Sequence, residues 1–203
     1  DEMIEKSFGY VIKSLNYLRA IRGEHCVFHP ACMGKLKREE AISLTTSRLN
    51  ELVSKVYENN LDDMFLCPET MGKSAQIGTY KEIVNFCTID KLFVPCFDFG
   101  HINALEGGTL KSEKDFKKVF DYAFSKLDED KVKKCHIHFS KIQFGDKGEI
   151  RHLDFSDEIY GPNYEALANV INEYNLSPHM ICESSSKMSE DALVMKKYLM
   201  TSQ

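Results

Sequence analysis

Five short apolar segments alternate strictly with segments of helical periodicity, and this alternation restricts the chain to a small set of folds. A strand followed by a helix, repeated without interruption, is typical of parallel βα units. We therefore predict an α/β fold in which residues 1–203 form a single domain, with a leading helix over 1–23 followed by the βα units. The apolar segments are HCVFHP (25–30), DMFLCPET (63–70), LFVPCFDFGH (92–101), KCHIHFS (134–140) and HMICES (179–184).

Each predicted strand ends at or near a residue that could bind a metal ion. In parallel α/β barrels the active site is built at the C-terminal ends of the strands, from side chains that several strands contribute. Imidazole and carboxylate ligands without a positioned thiolate suit Zn²⁺, Mn²⁺ or Fe²⁺ better than Ca²⁺. We therefore predict one shared metal site. Its candidates are His29, Glu69, Asp98 with His101, His136 with His138, and Glu183.

Each candidate also has a purely structural interpretation when it is taken alone. A Glu that follows an apolar run, such as Glu69, is held by a salt bridge as often as by a metal. Asp98 and His101 can form a hydrogen-bonded pair without an ion. His136 and His138 share one face of a strand because side chains alternate with period two, and on the helix side both would simply be buried. Because an acid or a histidine recurs at the end of every predicted strand, the sequence favours the metal site over these separate structural interpretations.

Composition narrows the class of protein and of partner. A formal net charge of −5 argues against a protein that coats nucleic acid through bulk electrostatics, although a local basic groove remains compatible with it. The seven cysteines form no CxxC pair, which indicates a reducing compartment without a disulfide framework. No apolar stretch approaches the ~20 residues that span a bilayer. We expect a cytoplasmic protein with no membrane partner.

The motifs from about residue 25 to the C-terminus resemble those of the endonuclease IV family (apurinic/apyrimidinic endonuclease family 2), which belongs to the xylose-isomerase-like barrels. The resemblance implies a TIM (β/α)8 barrel, of which this chain would contain about five C-terminal βα units. The absence of an initiator Met and of a leading strand agrees with a missing N-terminal part of the barrel. The matching motifs are FHP, PET-x-G followed by QIG, D-x-x-H, H-x-x-x-S-K, IYGPNYEALANVI and the Glu of the last strand.

The resemblance also implies a function and a role for each motif residue. Members of that family are zinc-dependent hydrolases that cleave DNA on the 5′ side of abasic sites during base excision repair, with up to about three zinc ions. Glu69 and Glu183 would be the catalytic residues, and His138 and Lys141 would contact the substrate. The partner would be DNA that contains abasic sites. Carried over by motif, the metal ligands are His29, Glu69, Asp98, His101, His136, His152 and Glu183.

Three departures from the family pattern affect these expectations. Ile150 stands where the D-x-H loop of the family has its acid, so one metal would be weak or absent. His138 occupies a position where Asn is common in the nucleases. Five strands rather than eight would leave unpaired edges, through which we expect the chain to self-associate or to contact a partner chain.

Two other functions fit the same motifs. Sugar isomerases and epimerases of this barrel superfamily bind a single divalent metal such as Mn²⁺, and here Glu69, Asp98, His136 and Glu183 would bind it. The two Glu side chains would then move a proton beside the carbonyl of a small sugar. His29, His101 and His152 distinguish the alternatives, because a single-metal site does not need all of them. The third interpretation is a degenerate, non-catalytic member of the superfamily.

Overall fold

Residues 2–201 are described by the computed structural model, and they contain nine strands and eight helices. The strands are β1 (His25–Phe28), β2 (Ala31–Cys32), β3 (Phe65–Pro68), β4 (Gln76–Ile77), β5 (Cys96–Asp98), β6 (His136–Phe139), β7 (Lys141–Gly145), β8 (Gly148–Leu153) and β9 (His179–Cys182). The helices are α1 (Glu2–Ala20), α2 (Arg38–Glu58), α3 (Tyr80–Phe86), α4 (Phe99–Leu105), α5 (Glu113–Phe124), α6 (Glu129–Lys133), α7 (Tyr164–Glu173) and α8 (Met188–Thr201).

Five of the strands run parallel in the order β1-β3-β5-β6-β9. Strand β1 pairs with β3, and β6 lies between β5 and β9. Parallel bridges from Leu66 to Phe93 and from Glu69 to Cys96 join the two groups. A helix follows each of these strands, so the predicted alternation of strand and helix is confirmed. Helix α1 stands where the sequence predicts a leading helix.

Side chains along the parallel strands point alternately to an outer and an inner face. The outer face is apolar and packs against the helices. Phe97 and Phe99 contact Phe116 and Phe120 of α5, with ring centroids 5.2 to 5.9 Å apart, and all four side chains are fully buried. Edge-on and tilted aromatic pairs of this kind each stabilise the fold by about 0.5–1.5 kcal/mol beyond the burial of their surface. The outer face therefore contains the main hydrophobic core.

The inner face carries a different set of side chains. Cys67, Val94 and Cys96 are buried there in a small second cluster, against the partly buried Val27 and Phe65. On strand β9 the inner side chains are more exposed. Two of the predicted site residues, Asp98 and His138, lie level with each other at the end where the parallel strands β5 and β6 finish.

Two elements differ from the sequence-based expectation. The predicted strand over 92–101 ends at Asp98, and its last residues belong to helix α4. The Asp98 carboxylate accepts the backbone N–H of His101 at 2.7 Å, which is the hydrogen bond of an N-cap. The stretch after β6, which lies outside the five predicted strands, forms the antiparallel hairpin β7–β8. Among the described helices, none is both long and apolar enough to cross a membrane.

Candidate metal centre

Glu69 follows the end of β3 and contacts two histidines, His138 of β6 and His29, the residue after β1. Its Oε1 atom accepts a hydrogen bond from His138 Nδ1 at 2.9 Å, and its Oε2 lies 3.2 Å from His29 Nε2. Burial acts to raise the pKa of the Glu69 carboxyl, but the hydrogen bonds from His138 and His29 outweigh burial and lower the pKa to about 2. Glu69 is therefore a buried carboxylate that remains ionised.

Glu69 forms a group with Asp98, His138 and Glu183 in which one ligand atom of each residue lies within 4.8 Å of the others. Asp98 is fully buried, and its Oδ2 atom has no hydrogen-bond partner. A buried carboxylate oxygen without a partner costs several kcal/mol unless a cation compensates it. Three carboxylates and one imidazole form a ligand set that suits Zn²⁺ or Mn²⁺, so the residues present fit a divalent ion.

The structure places His138, rather than His136, in this four-residue group. Parallel pairing puts His138 level with Asp98 and His136 level with Cys96, one layer further from the strand ends. His136 Nδ1 instead lies 3.2 Å from Nδ1 of His25, the first residue of β1. The motif-based assignment of His136 as the ligand and His138 as a substrate contact stays a prediction. The geometry favours His138 for the four-residue group, because the family motif does not define the register between β5 and β6.

A second group joins His101, Glu149 and His152. His101 Nε2 lies 3.5 Å from Glu149 Oε2, and His152 Nε2 lies 3.9 Å from Glu149 Oε1. The other ring nitrogen of each histidine is already engaged, since His101 Nδ1 donates to the Thr70 carbonyl at 2.9 Å and His152 Nδ1 shares a 2.8 Å hydrogen bond with Ser140 Oγ. Such outer hydrogen bonds orient the rings of metal-binding histidines and leave Nε2 for the ion.

Glu149 was missed by the sequence analysis, and a β-bulge explains why. Side chains separated by three residues point to opposite faces of a regular strand. In the β7–β8 hairpin, Gln143 pairs with Arg151 and Phe144 pairs with Glu149, so Ile150 is the extra residue of a bulge. Glu149 and His152 therefore reach the same face. The expected loss of a carboxylate at Ile150 is offset by Glu149, and Ile150 itself is 58% exposed.

At Gly148 the hairpin lies very close to the backbone of the loop that follows β3. The φ angle of Gly148 is +97°, and a Cβ atom built on this residue would lie 2.0 Å from the Gly72 carbonyl oxygen. The neighbouring Glu149 N–H donates to that same carbonyl at 2.8 Å. A glycine without a Cβ is thus required for the backbone contact that positions Glu149.

We expect Gly148→Ala to lower the free energy of unfolding by about 2–4 kcal/mol, because the new methyl group would collide with the Gly72 backbone at a φ that disfavours alanine. Urea unfolding followed by circular dichroism measures this loss. The matched control is Gly34→Ala, since Gly34 also has a positive φ of +59° but no atom within 4 Å of its Cβ position. Equal destabilisation of both variants would contradict the importance of the close approach.

The remaining predicted site residues lie outside these groups. His29 contacts Glu69 but belongs to none of the clusters of three or more potential ligands found within residues 2–201, and 62% of its side chain is exposed. The Lys141 ammonium donates to the Asp157 carbonyl and lines a separate cleft of about 500 Å³. Lys141 is therefore engaged in holding the chain that follows the hairpin.

We expect zinc to bind more tightly as the pH rises. Burial acts to lower the pKa of His101 and of His138. The charges of neighbouring carboxylates outweigh burial at His101, and the hydrogen bond to Glu69 together with carboxylate charges outweighs it at His138, so both pKa values are raised. Burial raises the pKa of Glu183 to about 7. Each of these groups keeps its proton to a higher pH than its ordinary pKa would allow, and an ion must displace that proton. Affinity should therefore rise at least about tenfold from about pH 6 to pH 8.

Isothermal titration of zinc into the metal-free protein, in buffers of different ionisation enthalpy, measures both the affinity and the number of protons released. The expected result is net proton release that decreases as the pH rises through the raised pKa values. An affinity that does not change with pH, together with no proton release, would contradict the arrangement of ligands.

Comparison with known proteins identifies similar sequences and folds. Residues 1–198 match the family described as the xylose isomerase-like TIM barrel. The uncharacterized protein MJ0133 of Methanocaldococcus jannaschii is 31% identical over 198 residues, which cover 98% of this chain and 71% of MJ0133. The fold class predicted from the sequence is confirmed by the family match and by the solved structures below.

Three solved structures illustrate the range of proteins that share this fold. The IOLI protein with a bound zinc atom aligns with a TM-score of 0.69 and 13% identity, over all of this chain and 70% of that one. An L-ribulose 3-epimerase aligns with a TM-score of 0.65 and 11% identity, over 96% of this chain and 67% of that one. An AP endonuclease of family 2 from Brucella melitensis aligns with a TM-score of 0.62 and 14% identity, over 96% of this chain and 69% of that one.

Proposed function

The chain belongs to the xylose isomerase-like TIM barrel family, and within that family we propose that it is a zinc-dependent phosphodiesterase that hydrolyses DNA on the 5′ side of abasic sites. The fold alone does not select this activity, because the same fold occurs in an AP endonuclease and in sugar epimerases. We choose between these two activities by the number of groups of potential metal ligands on the inner face.

The group of His101, Glu149 and His152 is the observation that carries the proposal. Glu69, Asp98, His138 and Glu183 are already enough for one metal ion. The second group adjoins the first, since His101 Nδ1 lies 3.5 Å from Asp98 Oδ2 and 3.7 Å from Glu69 Oε1. Adjacent metal sites are typical of enzymes that carry out in-line displacement at phosphorus.

The residues of this chain prepare the site in distinct ways. Divalent ions held there would supply Lewis-acid chemistry, which neutralises charge on a phosphate and makes water more acidic. Glu69 orients His138 with one carboxylate oxygen and His29 with the other. Thr70 and Ser140 hold the rings of His101 and His152 so that both Nε2 atoms face Glu149.

Cationic side chains are exposed on the hairpin and on the loop that it contacts, and we propose that they contact DNA phosphates. They are Lys73, Lys147 and Arg151, and of these Lys73 lies next to the second group, with its Nζ 4.0 Å from Glu149 Oε2. Phosphate contacts from Lys and Arg supply most of the affinity for nucleic acid and make it dependent on salt. A local basic rim of this kind is compatible with a net charge of −5.

Sugar epimerisation is the second candidate, favoured by the four-residue group taken alone. Glu69 and Glu183 flank His138, at 2.9 and 3.3 Å from its Nδ1, and two carboxylates at one metal can move a proton beside a carbonyl. In this case the second group would contact sugar hydroxyls without a metal. The ion would then be a single Mn²⁺ or similar ion.

The test is the cleavage of a labelled DNA duplex that contains one abasic-site analogue, by protein purified without chelators and without a His tag. Expected results are incision on the 5′ side of the lesion, no incision of the matched intact duplex, and loss of activity after EDTA that zinc restores. Ketoses are incubated with the same preparation. Epimerisation without incision would replace the proposal with the sugar enzyme, and the absence of both activities would favour the degenerate member.

A further inference from the structure

We propose that the inner face contains a second kind of metal site, a thiolate site formed by Cys96, His136 and His138 for an ion of the Zn²⁺ class. One ligand atom from each of these residues lies within 4.8 Å of the other two. The site lies one layer below the carboxylates, at the level where Cys96 pairs with His136. It does not depend on the phosphodiesterase function proposed above.

Two buried nitrogen atoms point to a ligand at this position. His136 and His138 are 5% and 6% exposed, and Nε2 of each ring is buried without a hydrogen-bond partner. The Nδ1 atoms are already engaged, with His25 in one ring and with Glu69 in the other. A buried polar atom without a partner costs about 1–3 kcal/mol, so two such atoms beside one thiol require an explanation.

The ligand chemistry differs from that of the carboxylate groups. One thiolate and two imidazoles suit Zn²⁺ or copper, whereas Mg²⁺, Ca²⁺ and Mn²⁺ prefer oxygen ligands. On binding, Cys96 Sγ forms a bond to the ion and its proton passes to solvent, so no oxidant or reductant is needed. The fully buried Cys67 lies in the same inner cluster but in none of the groups of three or more potential ligands among residues 2–201.

His138 connects the two kinds of site. Its Nδ1 atom faces Glu69 and Glu183, while its Nε2 atom is the nitrogen left for the thiolate site. A neutral imidazole has one free lone pair and can therefore bind one metal ion. An ion in the thiolate site and an ion held by the carboxylates therefore compete for His138, unless the ring loses its remaining proton. Excess zinc would therefore alter the carboxylate site through this ring.

The test uses Co²⁺ as the probe for the full chain, because a cobalt–thiolate bond gives an intense charge-transfer band in the near ultraviolet that oxygen and nitrogen ligands do not give. We expect the band in the wild-type protein, its complete loss in Cys96→Ser, and its retention in the matched control Cys67→Ser. Thermal melting followed by circular dichroism establishes that both variants are folded before they are compared.

X-ray absorption of the zinc-loaded wild-type protein is the second measurement, which stays informative if Cys96→Ser does not fold. The expected spectrum contains a zinc–sulfur distance of about 2.3 Å in addition to zinc–nitrogen and zinc–oxygen distances. Absence of sulfur from the zinc spectrum, or a cobalt–thiolate band that persists in folded Cys96→Ser, would overturn the thiolate site. Either result leaves the cleavage assay, and hence the proposed function, unaffected.

Discussion

Glu69→Gln is expected to lower the cleavage of abasic-site DNA by at least about 1,000-fold, which corresponds to about 4 kcal/mol of lost transition-state stabilisation. Glu69 is the residue that links His29 and His138, and its carboxyl remains ionised. Gln preserves the shape of the side chain but removes one anionic oxygen. The variant should therefore fold and bind fewer zinc ions per chain.

The measurement combines steady-state cleavage, metal content by plasma mass spectrometry and thermal melting. Glu183→Gln should give the same loss of activity, because Glu183 belongs to the same group. Glu58→Gln is the control, since Glu58 is exposed at the end of α2 and belongs to none of the groups of potential metal ligands found within residues 2–201. Wild-type turnover by Glu69→Gln would exclude the four-residue group as the reaction centre.

Glu149→Gln is the variant that separates the two candidate functions. Only the multi-metal hydrolase needs an anionic oxygen between His101 and His152. In this variant we therefore expect DNA cleavage to fall by about 100- to 1,000-fold and the metal content to fall by about one ion per chain. A single-metal epimerase would keep its ion in the group of Glu69, Asp98, His138 and Glu183. It would lose activity in Glu183→Gln but not metal in Glu149→Gln.

Asp146→Asn is the matched control for this experiment, because Asp146 is an exposed acid in the turn of the same hairpin. Its cleavage activity and metal content should equal those of the wild type. If Glu149→Gln also retained full cleavage activity and all of its metal, the second group would be a set of hydrogen-bonded polar residues. The proposal of a multi-metal site would then fail.

The register of the strands and the bulge account for what sequence reasoning missed at the site. Period two correctly places His136 and His138 on one face, yet only the pairing of β6 with β5 decides which of them is level with Asp98. Spacing along the chain predicts opposite faces for Glu149 and His152, and the extra residue Ile150 reverses that expectation. Both features depend on contacts between strands that are distant or irregular in sequence.

The sequence by itself determined the alternation of strands and helices, the fold class, and the acids and histidines that stand at the strand ends. These properties follow from local periodicity and from the rule that parallel strands end on the same side. Only the tertiary structure decided that His138 and Glu149 complete the two groups, and that Cys96 and His136 meet His138 in the layer beneath. The physical reason is that distances across a sheet depend on strand register and on bulges, which hydrogen bonds between separate segments of the chain define.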